Sequence, residues 1–141
     1  MIYNKLALCA IMLFASACNL GTGEIAVSSP WMRSGFEGEN SAVYFEISGG
    51  GSADNLFSAK SDTADETIIH KSILDEEGTM HMELQDIVPI PAGESVKFEP
   101  GALHIMLIGL HQDLVPGEFV ELKLLFEEAG EVIIRALVKN P

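Results

Sequence analysis

Residues 103–108 read Leu-His-Ile-Met-Leu-Ile, a short run in which apolar and metal-binding side chains alternate. In a β-strand, successive side chains point to opposite faces, so His104 and Met106 share one face while Ile105 and Leu107 share the other. The run therefore predicts a strand with one face in an apolar core. Its other face carries an imidazole and a thioether close enough together to meet one ion.

Short apolar runs rich in Val, Ile, Phe and Leu recur beyond residue 20 and are separated by Gly, Pro, Asp and Ser. Helical periodicity is scarce, so these runs indicate strands. The predicted strands cover residues 24–28, 42–48, 55–60, 66–74, 79–86, 95–99, 103–109, 119–126 and 131–138. Many short strands with turn residues between them predict an all-β fold, an antiparallel β-sandwich or barrel in a single domain over residues 24–141.

The first 17 residues have the features of a secretory signal peptide. Lys5 is the only charge before an apolar run over residues 6–14, and the small residues Ala15-Ser16-Ala17 follow. Because Cys18 comes next, the segment also resembles a bacterial lipobox, although Ala15 stands where such signals usually carry leucine. We expect a periplasmic or cell-envelope protein anchored to the membrane by lipid on Cys18, with residues 18–23 as a tether; ordinary cleavage without lipid is the alternative.

Charge and cysteine content exclude several classes of function. A formal net charge of −13 at pH 7 repels nucleic acid, so no nucleic-acid partner is expected. Cys9 is lost with the signal peptide, which leaves Cys18 as the only mature cysteine and excludes a disulfide within the domain. The sequence has no nucleophile elbow, metalloprotease helix or phosphate-binding glycine loop, so we do not expect an enzyme.

A second pair of candidate ligands flanks a predicted hairpin. Glu76-Glu77-Gly78 can form a three-residue loop with Gly78 in the left-handed conformation. Counting outward from this loop puts Ser72 opposite Met82 and His70 opposite Leu84. His70 and Met82 then lie diagonally on one face, within reach of a shared ion. A loop one residue longer would reverse this parity.

Met80 shares the predicted face and could substitute for Met82. On this register His81 points away from the site, and His111 is expected at the surface. Two imidazoles and two thioethers suit monovalent copper, because thioether sulfur is a poor ligand for harder cations. The candidate set of His70, Met82, His104 and Met106 thus predicts a site for one Cu(I) per chain.

At this point the sequence resembles a known family. The four residues, with twenty-one residues between Met82 and His104, are similar to the H-x10-M-x21-H-x-M signature of the periplasmic copper chaperones called PCu(A)C proteins. Further familial segments are Pro30-Trp31-Met32-Arg33, Ala42-Val43-Tyr44-Phe45, Pro91-Ala92-Gly93, residues 100–107 and residues 126–130. The resemblance implies a cupredoxin-like β-sandwich that passes Cu(I) to the copper subunit of cytochrome c oxidase, at its binuclear site, or to another copper chaperone.

Two features depart from the family pattern. Eleven residues separate His70 from Met82 where the signature has ten, which indicates an insertion in the hairpin loop. The sequence also ends at Pro141 without the His- and Met-rich tail that some members associate with Cu(II).

Three other readings compete with Cu(I) transport. A metal-free envelope lipoprotein that acts as a protein-interaction module would use the same His and Met residues for packing. A Zn(II) or Cu(II) buffer would be expected to use carboxylates or cysteines as ligands. A blue-copper electron carrier needs a Cys thiolate, and Cys18 lies far from the strand motifs.

Overall fold

Alternation of apolar and polar side chains produces strands throughout residues 24–140. The structure is a computed structural model that describes residues 24–140. The predicted signal peptide, the lipidation site at Cys18 and the tether up to residue 23 lie outside the described residues. Within residues 24–140, no helix is long and apolar enough to span a membrane.

Residues 24–140 form ten strands. They are β1 (Ala26–Arg33), β2 (Ser41–Ser48), β3 (Asp54–Lys60), β4 (Ala64–Leu74), β5 (Met80–Leu84), β6 (Val88–Ile90), β7 (Ser95–Phe98), β8 (Leu103–Leu110), β9 (Phe119–Phe126) and β10 (Gly130–Lys139).

The strands form one sheet in the order β5-β4-β8-β7-β2-β1-β10-β9-β3-β6, with a further pairing between β8 and β2. All pairings are antiparallel except β1 with β10 and β7 with β8. The sheet curls on itself, since β3 near one end contacts β4 near the other. The all-β prediction is confirmed, with two parallel pairings in a sheet that was expected to be antiparallel.

Inward-facing aliphatic side chains from both ends of the sheet fill one core. The largest fully buried members are Met32, Ile47, Leu56, Ile90, Ile105, Leu107, Leu110, Leu122 and Leu124. Each such side chain contributes roughly 1.5–3 kcal/mol when it is fully buried. Because Ile105 and Leu107 take the inner face of β8, His104 and Met106 are held on the outer face.

Two strands differ from the prediction. β1 continues through Pro30 to Arg33, because a bulge shifts its register against β2 and Ser29 adopts a positive φ of 53°. β6 was not predicted, since it has only three residues and contains Pro89. A proline is tolerated there because β6 forms the outer edge of the sheet beside β3.

A buried carboxylate joins the ends of two strands. Asp54, at the start of β3, accepts hydrogen bonds from the backbone N–H groups of Asn55 at 2.7 Å, Glu128 at 2.9 Å and Ala129 at 2.8 Å. Burial raises the pKa of Asp54, but the backbone donors lower it more, so the pKa lies below 3.8. The charged carboxylate therefore fixes the β9–β10 turn against β3.

Candidate metal site

The β4–β5 hairpin has the register that the sequence predicts. Gly78 adopts a φ of 83°, and the Asp75 N–H donates to the Thr79 carbonyl at 2.9 Å. Ser72 lies opposite Met82, as expected, and His70 lies opposite Leu84. The side chains of His70 and Met82 consequently share the outer face of the sheet.

The neighbouring strand β8 brings the second pair of candidate ligands to the same face. His70 lies opposite His104, and Ile68 lies opposite Met106. The two imidazole rings have centroids 5.8 Å apart and meet nearly edge to face, at 76°. Metal–nitrogen bonds of about 2.0 Å would place two rings on one ion with centroids roughly 5 to 6 Å apart. The spacing of the rings thus fits a shared ion.

The hydrogen bonding of His104 leaves one ring nitrogen free. His104 is only 4% exposed, and its Nδ1 lies 3.0 Å from the Ala102 carbonyl oxygen. A carbonyl can only accept, so Nδ1 carries the proton and neutral His104 presents Nε2 as a lone-pair donor. A second partner that fixes the tautomer in this way is typical of metal-binding histidines.

His70 is half-buried and incompletely satisfied. Its Nδ1 is buried without a hydrogen-bond partner among the described residues. Burial lowers the pKa of His70 below 6.5, and repulsion from His104 lowers it further. His70 therefore favours the neutral form that binds a metal, and its buried nitrogen lacks the partner that a purely structural histidine would have.

Three of the four candidate ligands line one surface cavity of about 230 Å³. Met82, His104 and Met106 lie in its wall, and Met82 contributes a side chain that is 54% exposed. Met80 is on the same face but lies opposite Leu74, two residues further from His104 along the hairpin than Met82. Since that step adds roughly 7 Å along the strand, the geometry favours Met82 over Met80 as the fourth ligand.

Sequence reasoning missed a layer of aromatic and basic side chains beside the site. Tyr44 is buried next to His104, with ring centroids 6.5 Å apart, and it packs on Trp31 at 4.6 Å. The Arg33 guanidinium lies 5.7 Å from the Tyr44 ring centroid, and the Lys139 ammonium lies 5.5 Å from that of Trp31. The i, i+2 spacing of Trp31 and Arg33 could have indicated that both lie on one face of β1. The bulge in β1 shifts its register against β2, so the sequence alone did not show which face that is.

Arg33 gives the site an unexpected charge. Among the described residues it is the only charged one in the cavity wall, and none of them there is a carboxylate. Although the chain carries 21 acidic residues, the charge that the cavity wall contributes to the candidate metal site is therefore positive. Such an environment disfavours divalent cations more than monovalent ones, because electrostatic repulsion scales with the charge of the ion.

The other two histidines lie elsewhere, as predicted. His81 points away from the site, with its Nε2 2.7 Å from a carboxylate oxygen of Asp75. His111 is exposed, and its ring nitrogens lie 2.9 Å from an Asp65 carboxylate oxygen and 3.0 Å from the Asp62 carbonyl. The Asp65 carboxylate raises the pKa of His111 above 6.5, and the Asp62 carbonyl adds to the effect.

Comparisons with solved structures place the fold among copper-binding domains. The copper-bound PCuAC domain from PmoF2 matches with 28% identity and a TM-score of 0.69, over 85% of this chain and 96% of that one. The apo PCuAC domain from PmoF1 matches with 28% identity and a TM-score of 0.71, over 85% and 97%. Cu(I)-bound DR1885 from Deinococcus radiodurans shares the fold at 20% identity, with a TM-score of 0.63 over 88% and 85%. The expected PCu(A)C resemblance and cupredoxin-like fold class are confirmed.

Sequence comparison gives a consistent result. A protein of Leifsonia xyli subsp. xyli named "Putative lipoprotein Lxx21020" is 27% identical over 134 residues, 94% of this chain and 81% of that protein. The sequence profile of the family described as "Putative lipoprotein LpqE-like" matches residues 25–138. Because this match covers most of the chain, the protein belongs to the LpqE-like family.

Proposed function

We propose that the protein is an extracytoplasmic copper chaperone that binds one Cu(I) through His70, Met82, His104 and Met106. The observation that carries the proposal is the pair of imidazoles on adjacent strands, with ring centroids 5.8 Å apart, and the buried Nδ1 of His70, which has no hydrogen-bond partner in the described part of the chain. The PCuAC domains that share this fold at 28% identity include a copper-bound one. A metal-free packing role leaves the buried nitrogen of His70 unexplained.

The donor set favours Cu(I) over other ions. Thioether sulfur is a soft donor that suits Cu(I), whereas Zn(II) and Cu(II) sites usually recruit thiolates, carboxylates or further nitrogens. All four candidate donors are neutral, and none of them is a cysteine thiolate. The site can therefore hold copper in an oxidising compartment, where a pair of cysteines would form a disulfide.

The exposure of the site suits transfer of the ion. His104 is buried and fixed by its hydrogen bond to Ala102, whereas Met82 is half exposed on the outermost strand. An acceptor can thus displace Met82 while the histidines still hold copper. We propose that the acceptor is the copper subunit of cytochrome c oxidase and that a lipid on Cys18 holds the carrier at the membrane.

Anaerobic titration with Cu(I) against a competing chelator tests the binding proposal. We expect one Cu(I) per chain and a loss of affinity of at least tenfold when His70 or His104 is replaced by Gln. His81→Gln and His111→Gln are matched controls that remove imidazoles outside the site and leave the affinity unchanged. Equal effects from all four substitutions, or no copper bound at stoichiometric amounts, would contradict the assignment.

A further inference from the structure

The outer face of the β4–β5 hairpin exposes an unusual amount of apolar surface. Leu74 is 63% exposed, Met80 52%, and Leu84 61%, and all lie on the same face as Met82 and the two candidate histidines. Soluble proteins rarely leave a contiguous apolar surface of this kind uncovered, and such surfaces commonly mark interaction sites. We call Leu74, Met80, Met82 and Leu84 the hairpin patch.

The same hairpin leaves a sheet edge open. Within residues 24–140, β5 pairs only with β4 and forms one end of the sheet. Backbone hydrogen bonds join Asp75 to Thr79 and Gln85 to Ile69, at 2.9 Å each. Since bonded and non-bonded pairs alternate in an antiparallel ladder, the N–H and C=O groups of Met80, Met82 and Leu84 point away from β4.

This edge lacks two of the usual protections against strand pairing. β5 contains no proline and no bulge, and the outward backbone groups belong to residues of the hairpin patch. A strand added along β5 would gain backbone hydrogen bonds and apolar contacts together, which is how proteins recognise extended segments at sheet edges.

The acidic residues near the patch indicate the charge of a complementary partner. Asp75, Glu76 and Glu77 lie at the hairpin loop and Asp86 follows β5, whereas Glu83 is on the opposite face of β5 from the patch, directly across from Lys71. A second copy of the chain would bring the same acidic groups and another −13 of net charge, so self-association is disfavoured. The complementary partner is a different protein with basic residues beside an apolar strand.

We propose that the copper-accepting protein docks by adding such a strand to β5, against the hairpin patch. The inference rests on the proposed function, because it assigns the surface through which the same site delivers its ion. A side chain on the added strand opposite Met82 would lie about 5 Å from it, between Cβ atoms. Transfer then begins when a bond from copper to the acceptor's ligand forms and the copper–sulfur bond to Met82 breaks, with copper remaining Cu(I).

Two substitutions test the docking surface: one changes the edge and the patch together, and the other changes the patch alone. Leu84→Pro removes an N–H that points away from β4, together with the leucine side chain, so it blocks the edge without breaking the β4–β5 ladder. Leu74→Glu adds a charge to the patch away from the candidate ligands. Ile133→Glu is the matched control, because Ile133 is 55% exposed on β10, six strands from β5.

The experiment measures Cu(I) transfer from the purified protein to the reduced, copper-free soluble domain of the cytochrome c oxidase copper subunit. Release to a small chelator is measured in parallel. We expect Leu84→Pro and Leu74→Glu each to slow transfer to the domain at least tenfold, with the Kd for Cu(I) within about threefold of wild type. Ile133→Glu should transfer at the wild-type rate. The backbone amides of Met82 and Leu84 should exchange more slowly with solvent when the acceptor is added.

Each outcome bears on one proposal. Wild-type transfer rates in both patch variants, or unchanged amide exchange on β5, would overturn the docking inference while leaving copper binding intact. Failure of the wild-type protein to bind Cu(I) against the chelator would instead overturn the proposed function. Transfer to the domain no faster than release to the chelator would overturn delivery to this acceptor, and the docking inference with it.

Discussion

Acidification should weaken Cu(I) binding by an amount that depends on the number of histidine ligands and on their pKa values. Each histidine must be neutral to bind copper, whereas methionine does not titrate. Two imidazoles with an ordinary pKa of about 6.5 would together reduce the affinity roughly 600-fold between pH 7 and pH 5, and one alone about 25-fold. Burial and His104 hold the pKa of His70 below 6.5, so its share is smaller. We therefore expect a loss smaller than about 600-fold.

Chelator competition at pH 5, 6, 7 and 8, corrected for protonation of the chelator, measures this dependence. His111→Gln is the control, because the pKa of His111 is raised by Asp65 but its ring lies outside the site. Ring resonances of the copper-free protein should show His70 titrating below 6.5 and His111 above it. Affinity indifferent to pH would refute the imidazole ligands, and a loss well beyond about 600-fold would require more than two protonatable ligands.

Three substitutions test other parts of the structure. Met82→Leu should weaken Cu(I) binding about 70- to 900-fold, since one of four ligands carries about a quarter of a metal-binding free energy on the order of 10–16 kcal/mol. Met80→Leu should change the Kd less than about threefold, and a larger loss at Met80 would exchange their roles. Arg33→Gln should raise the affinity for Cu(II) relative to Cu(I) roughly two- to fivefold by removing a repulsive charge. Arg33→Lys keeps the charge and should stay close to wild type. An unchanged affinity ratio in Arg33→Gln would show that Arg33 does not contribute to selectivity. Asp54→Asn should cost about 2–4 kcal/mol of unfolding free energy at pH 7.

The effect at Asp54 has a defined pH dependence. Its pKa in the folded protein lies below the 3.8 of an unperturbed carboxyl, so its contribution to stability is fully present above 3.8 and is lost as the pH falls through the folded value. Denaturant unfolding of the wild-type protein and Asp54→Asn should therefore differ at pH 7 and converge in strong acid. A difference that persists unchanged below the folded pKa would show that the charge is not the cause.

Much of the candidate site was predictable because local rules determine it. The alternation around His104 and Met106 follows from the period of a strand, and the core requires Ile105 and Leu107 to face inward. The hairpin register follows from a three-residue loop that ends in Gly78. These rules placed each pair of candidate ligands on the strands that the structure shows.

The remaining features depend on pairings that no local pattern encodes. His70 meets His104 only because β4 lies beside β8, and the buried Nδ1 of His70 follows from that contact. Tyr44 and Arg33 join the site through the β1–β2 pairing, whose register is shifted by the bulge at Ser29. β6 was too short to give a periodic signal, and its existence depends on the edge of β3.

The ligands themselves are tested most directly by X-ray absorption at the copper edge of the Cu(I)-loaded protein. The account predicts two sulfur and two nitrogen neighbours, with one sulfur lost in Met106→Leu and one nitrogen lost in His104→Gln. A copper shell of nitrogen and oxygen alone, unchanged by either substitution, would contradict it.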